Sequence, residues 1–221
     1  MTDIVSNINK ILQEIPKSVK LVAVSKTKPI KDIKTAYDAG YKIFGENKVQ
    51  ELVNKYESLP KDIEWHMIGH LQTNKVKYIA PFVSLIHAVD SRKLLNEINK
   101  QAEKNNRQIN CLLQIKIAKE ETKFGLSVND AEQILKEKNT YKNIIFSGLM
   151  GMATNTDNHE QILSEFKQLF DTFKLFKTNY FADNTNFKEI SMGMSGDYKL
   201  AISQGSTIIR VGSLIFGKRI Y

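Results

Sequence analysis

Cysteine is nearly absent from this chain. With Cys111 alone in 221 residues, no intrachain disulfide can form, and the C-x-x-C spacing of zinc and redox sites is missing. Cys111 lies in the apolar run Cys111-Leu112-Leu113 and reads as core filling. Long apolar stretches are absent too: none approaches the length needed to span a bilayer. The N-terminal Met1-Thr2-Asp3-Ile4-Val5-Ser6 lacks the basic-then-apolar pattern of a signal peptide. These gaps lead us to expect a cytoplasmic protein rather than a membrane one. Missing as well is a G-x-G-x-x-G after the first apolar run, the commonest dinucleotide site of an open α/β sheet.

What is present is ordinary in amount and regular in arrangement. At 42% hydrophobic and 25% charged, residues 1–221 can form one domain around one large core. The net charge of +8 invites a nucleic-acid partner. The lysines, however, are interleaved with acids, as in Lys93, Glu97, Lys100, Glu103 and Lys104, which is the pattern of a solvated helix face. With no nucleic-acid module alongside, weak attraction to polyanions is all that the charge implies.

Short apolar runs recur at 21–24, 41–44, 65–68, 83–89, 111–117, 144–150, 189–192 and 207–211. Helical spacing fills the intervals, for example Leu94, Leu95, Ile98 and Ala102, or the Phe-rich stretch 166–176, whose aromatics read as core. An extra amphipathic helix precedes the first run, with Ile4, Ile8, Ile11, Leu12 and Ile15 on one side and Pro16 stopping it. Alternating strands and helices predict a parallel sheet with helical crossovers, and eight units predict a closed (β/α)8 TIM barrel. An open doubly wound sheet is the structural alternative.

In a barrel, chemistry belongs at the C-terminal ends of the strands. The first run ends at Ser25-Lys26-Thr27-Lys28, placing the Lys26 amine on a rigid, partly dry wall. Desolvation there favours the neutral amine, the nucleophile that forms a Schiff base with an aldehyde or ketone. A plain strand-ending charge is the competing reading. The seventh and eighth runs end at Ser191-Met192-Gly193-Met194-Ser195-Gly196-Asp197 and Arg210-Val211-Gly212-Ser213. Glycines and small hydroxyl residues in these loops suit a phosphate, which needs close backbone approach and N–H donors. Arg210 is one of only four arginines, with Arg92, Arg107 and Arg219, and it interrupts an apolar run. That placement suits a permanently charged planar donor, or else a structural ion pair. An amine, a phosphate nest and a ring-nitrogen donor together match the three ends of pyridoxal 5'-phosphate (PLP).

Five motifs carry a family resemblance: Ala23-Val24-Ser25-Lys26-Thr27-Lys28; Phe44-Gly45-Glu46-Asn47 with Val49-Gln50-Glu51; Trp65-His66-Met67-Ile68-Gly69-His70-Leu71-Gln72 with Asn74-Lys75; Ser191-Met192-Gly193-Met194-Ser195; and Arg210-Val211-Gly212 with Phe216-Gly217. In this order, the chain resembles the pyridoxal phosphate homeostasis proteins. The resemblance implies a barrel like the N-terminal domain of alanine racemase, with PLP held as a Schiff base on Lys26. In that racemase a serine on the phosphate and an arginine on the pyridine nitrogen stand fifteen residues apart, as do Ser195 and Arg210 here. It further implies backbone contacts from Gly212 and Ser213 to the phosphate, and Asn47 beside the cofactor. Lys48 stands where many relatives have an aromatic residue.

Function follows as an expectation: a noncatalytic, monomeric carrier that stores PLP or delivers it to PLP-dependent apoenzymes. The chain ends just after the eighth unit, without the second domain from which alanine racemase draws its opposing base. That base is a contribution of about 10²–10⁴ in rate. Two alternatives stay open. One is a small PLP-dependent racemase or lyase with His70 as its base, and the other is a cofactor-free class I aldolase using Lys26. A metal site is not expected, because His66 lies on a strand and no carboxylate completes an H-E-x-x-H pattern; His70 is expected at the barrel mouth. Asp157, His159 and Glu160 read as solvated loop.

Overall fold

A computed structural model of the protein describes residues 3–120 and 124–217. Met1 and Thr2 of the N-terminal reading, and Arg219, lie outside the described residues. In chain order the first half runs α1 (Ile4–Glu14), β1 (Lys20–Val24), α2 (Ile30–Asp38), β2 (Ile43–Glu46), α3 (Val49–Ser58), β3 (Glu64–Met67), α4 (Val76–Ile79) and β4 (Leu85–Val89). The second half runs α5 (Arg92–Lys104), β5 (Ile109–Gln114), α6 (Val128–Lys136), β6 (Ile144–Met150), α7 (His159–Tyr180), β7 (Glu189–Met194), α8 (Tyr198–Ser203), β8 (Ile208–Val211) and α9 (Ser213–Phe216). The eight strands pair in sequence order, all parallel, and β8 closes on β1. The expected (β/α)8 barrel is therefore the fold, and the open sheet is not.

Strand alternation creates two cores. Along β1, Leu21 and Ala23 join the large core shared with the helices, whereas Val22 and Val24 join a smaller one inside the barrel with Ile68, Leu85, Leu112, Met150 and Ile208. Cys111 is buried in the outer core. Of the Phe-rich stretch, Phe166 and Phe176 are fully buried, with Phe170 and Phe173 packed against the same core. The wall is tightest between β6 and β7. Gly148 has φ +149°, and a Cβ there would lie 1.8 Å from the Glu189 carbonyl oxygen, so only glycine lets these strands meet.

Local signals set the helix ends. Asp3 caps α1 by accepting from the Ser6 N–H, and Ser127 and Asn158 cap α6 and α7 in the same way. The first helix ends at Glu14, one residue short of the apolar stripe, because Ile15 precedes Pro16 and is extended. The strand at 41–44 is displaced to Ile43–Glu46. Gly45 and the charged Glu46 belong to the sheet because Glu46 is neutralised inside the protein. The run 111–117 also leaves the sheet early, after Gln114, where the Gln114 amide turns to the Phe124 carbonyl at 2.7 Å.

Candidate functional site

At the C-terminal ends of the strands lies a cavity of about 310 Å³ whose wall includes Lys26, Asn47, Ser195, Arg210, Gly212 and Ser213. All six residues expected to form a site thus face one space, although they come from four different strand–loop junctions. Ser25, just past β1, is fully buried, and Lys26 beyond it is half-buried. Loops seven and eight touch where the Gly212 N–H donates to Ser195 Oγ at 3.3 Å. Gly193 makes the first of these loops possible. Its φ is +95°, and a Cβ there would sit 2.6 Å from Ala201. The following Met194 N–H donates to Asp197 Oδ1 at 2.5 Å.

Arg210 faces the barrel interior with 4% of its surface exposed. Its Nη1 donates to Ser191 Oγ at 2.6 Å and its Nη2 to the Gly151 carbonyl at 3.2 Å. Both acceptors are neutral, and no carboxylate bonds to the guanidinium among the described residues. Burial pulls its pKa down to about 10, against the opposing pull of the Asp197 charge, so it remains a cation at neutral pH.

Behind Arg210 runs a spine of buried polar groups. His87 Nδ1 lies 2.9 Å from Ser191 Oγ, and His87 Nε2 lies 3.0 Å from His66 Nδ1. One proton order uses every hydrogen bond along this spine and gives the Ser191 hydroxyl an acceptor, starting from the guanidinium, which only donates. Ser191 accepts from Arg210 and gives its own proton to His87 Nδ1. His87 is then protonated on Nε2 and donates to His66 Nδ1, which leaves His66 protonated on Nε2. Burial holds His66 neutral, with its pKa pushed down to about 3, and depresses His87 well below the usual range, helped by the Arg210 charge.

Sequence reasoning missed this spine and a second polar cluster. Ser25 Oγ donates to Glu46 Oε1 at 2.5 Å, and Lys55 Nζ donates to Glu46 Oε1 at 2.7 Å and Glu51 Oε1 at 2.6 Å. Burial raises the Glu46 pKa to about 7 against the pull of Lys55 and Ser25. The available signals were His87 inside the apolar run Leu85-Ile86-His87-Ala88-Val89, and Lys55 three residues after the buried Leu52 on the inner face of α3.

His70 and Lys48 do not line the cavity. His70 is exposed on the rim, with Nδ1 2.7 Å from Asp90 Oδ2 and its ring stacked on Phe124; His66 is buried, so the two histidines do not form a pair. Asp157, His159 and Glu160 are exposed. At the opposite end of the barrel, a second cavity of about 490 Å³ is bordered by Lys20, Glu64, His66, Asn110, Lys188 and Glu189. There Lys20 Nζ pairs with Glu189 Oε1 at 2.6 Å, and Thr207 Oγ1 donates to Glu189 Oε2 at 2.7 Å.

Residues 1–219 match the family model described as alanine racemase, N-terminal domain. A pyridoxal phosphate homeostasis protein of Aquifex aeolicus is 40% identical over 91% of this chain and 88% of the relative. One from Escherichia coli is 32% identical over 100% and 99%. The solved structure of PipY from Synechococcus elongatus without PLP superposes with a TM-score of 0.92 at 32% identity, over 97% of this chain and 100% of that one. The same protein with PLP bound gives 0.89. Alanine racemase from Bartonella henselae, 16% identical with a TM-score of 0.71, shares the fold over 60% of its own length.

Proposed function

The chain belongs to the alanine racemase N-terminal-domain family and, within it, to the pyridoxal phosphate homeostasis proteins; on that premise we propose that it binds PLP in the cavity at the C-terminal ends of its strands. The observation that carries this reading is the donor set around one space. Lys26 supplies an amine, Ser195 with the backbone of Gly212 and Ser213 supplies neutral donors, and Arg210 supplies a buried cation with no carboxylate bonded to it among the described residues. Those groups match the aldehyde, phosphate and pyridine nitrogen of PLP, with Asn47 alongside. The Lys26 amine condenses with the aldehyde, releasing one water.

When bound, PLP supplies an electron sink. Arg210 limits that sink, because a donor at the ring nitrogen keeps the nitrogen unprotonated, whereas a carboxylate there would protonate it. Among the described residues lining the cavity there is no carboxylate, histidine or tyrosine, so beyond Lys26 and Lys28 no acid–base side chain is placed to face a bound substrate. Both features support binding without turnover: a monomeric cytoplasmic carrier that keeps free PLP low and passes it to PLP-dependent apoenzymes.

The test is spectroscopic and chemical. The protein mixed with PLP is expected to turn yellow, and borohydride reduction followed by peptide mapping is expected to place the label on Lys26. Incubation of the loaded protein with amino acids in D2O should leave their α-protons in place. Exchange at enzyme-like rates would instead establish the racemase or lyase reading, and absence of any chromophore would favour the aldolase.

A further inference from the structure

The two residues flanking Lys26 are held by side chains from the second strand–helix unit. On one side, Ser25 gives its hydroxyl proton to Glu46 Oε1 at 2.5 Å, and its carbonyl accepts from Lys55 Nζ at 2.8 Å. On the other, the Thr27 N–H donates to Glu51 Oε1 at 2.5 Å. Lys55 joins the two anchors, since its ammonium also bonds Glu46 and Glu51. Its three donors are therefore all committed: one to the peptide before Lys26 and two to the carboxylates that hold Ser25 and Thr27.

Stability alone is a poor account of this cluster. Glu46 is fully buried and Lys55 is 4% exposed, and desolvating such a pair costs as much as the pairing returns; apolar replacements are often neutral or better. What the cluster provides is geometry. Thr27 has φ +63°, a left-handed conformation that is unfavourable for an L-residue and rare for a β-branched one. Such a conformation persists only where its surroundings over-determine it, and here the surroundings are Glu51 on the Thr27 N–H and the Ser25–Lys28 turn, closed by the Lys28 N–H at 3.0 Å from the Ser25 carbonyl.

We propose that Glu46, Lys55 and Glu51 are positioning residues for Lys26. They fix the peptide on both sides of it and so hold its amine at the cavity that it shares with Ser195 and Arg210. The proposal rests on the reading of Lys26 as the covalent anchor of the cofactor, and it adds the device that presents the anchor. Loss of the device leaves the amine in place but imprecisely aimed, and misplacement on the ångström scale lowers the rate of bond formation by about 10- to 100-fold.

The decisive variant is Glu51→Ala, because Glu51 is partly exposed and its removal is compatible with folding, which thermal unfolding checks. In the protein without PLP, amide hydrogen exchange at Thr27 is expected to accelerate about tenfold or more, while amides of β8 exchange as in the wild type. On addition of PLP, the long-wavelength absorbance is expected to form about 10- to 100-fold more slowly. Glu51→Gln, which keeps an acceptor oxygen, should recover most of that rate. A control destabilised to the same melting temperature at a remote site, Ala102→Gly, should form the band at the wild-type rate.

Wild-type exchange and wild-type rates in Glu51→Ala overturn the proposal alone, as does an equal slowing in the Ala102→Gly control. Labelling of a lysine other than Lys26 in the wild-type protein overturns the cofactor reading and this proposal with it.

Discussion

The barrel has a cavity at each end, and the larger one is the less informative. The lower cavity, at about 490 Å³, exceeds the upper one at about 310 Å³. Several of its charges and polar groups are paired with one another. Lys20 pairs with Glu189, Thr207 binds the second oxygen of the same carboxylate, and Ser147 donates to Asn110. The upper cavity holds the opposite balance: a buried guanidinium on neutral acceptors, a reachable amine, and glycine-rich backbone between them. Volume measures how strands splay at a barrel end, whereas uncompensated charge and glycine-lined backbone measure what a site is built to hold.

Substitutions can break this contrast, the largest effect first. Lys26→Ala is expected to abolish the PLP absorbance and the borohydride label completely, while Lys20→Ala at the other end leaves both intact. A yellow Lys26→Ala protein with an unchanged spectrum would remove the upper cavity's claim. Arg210→Lys keeps the charge but loses the planar fork that spans Ser191 and Gly151. PLP affinity measured by equilibrium dialysis should fall about 10- to 100-fold, equivalent to one charge-assisted hydrogen bond of about 1.5–3 kcal/mol.

The spine joining the two ends should show in the acid response. His66 has its folded pKa depressed to about 3 and His87 has its own depressed well below 6.5, so their contribution is present above pH 6.5 and is lost as pH falls below it. At pH 5 His66 should cost about 2 kcal/mol relative to pH 7, and His87 adds a loss of the same sign. Glu46 works the other way. Its raised pKa of about 7 means that stability is gained as pH falls from 7 toward 4.5, by about 2 kcal/mol at pH 5. Urea unfolding should therefore show a net loss between pH 7 and pH 5, because His66 and Glu46 roughly cancel and His87 adds to the loss, and His66→Asn should remove most of it. Unchanged pH dependence in that variant would mean that the spine is charged or hydrated in solution. The smallest effect belongs to the lower end. Lys20→Ala should cost no more than about 1 kcal/mol in the same assay, because its side chain is half exposed and its ion pair is screened.

Much of this was legible in residue order. The strand periodicity, the first helix, and the lysine, serine, arginine and glycine placements all reappear where the apolar runs end. The exceptions share one cause. Glu46 looked like a residue outside the strand because its charge broke the apolar run, and only its partner Lys55, supplied by the next helix, makes burial tolerable. Nothing beside His87 in the apolar run 83–89 marks a polar role for it, and its partners come from β3 and β7. His70, two residues beyond a strand end, carries the right chemistry for a mouth residue but turns to Asp90 and Phe124 on the rim.

The sequence by itself determined the alternation of strand and helix and the kind of chemistry at each strand end, because side-chain period and turn composition are local properties. Only the tertiary structure decided which of these groups share a cavity, which charges are neutralised, and which way the protons of the spine point. Those facts depend on closure of β8 onto β1, which brings residues far apart in the chain into hydrogen-bonding distance in the buried interior.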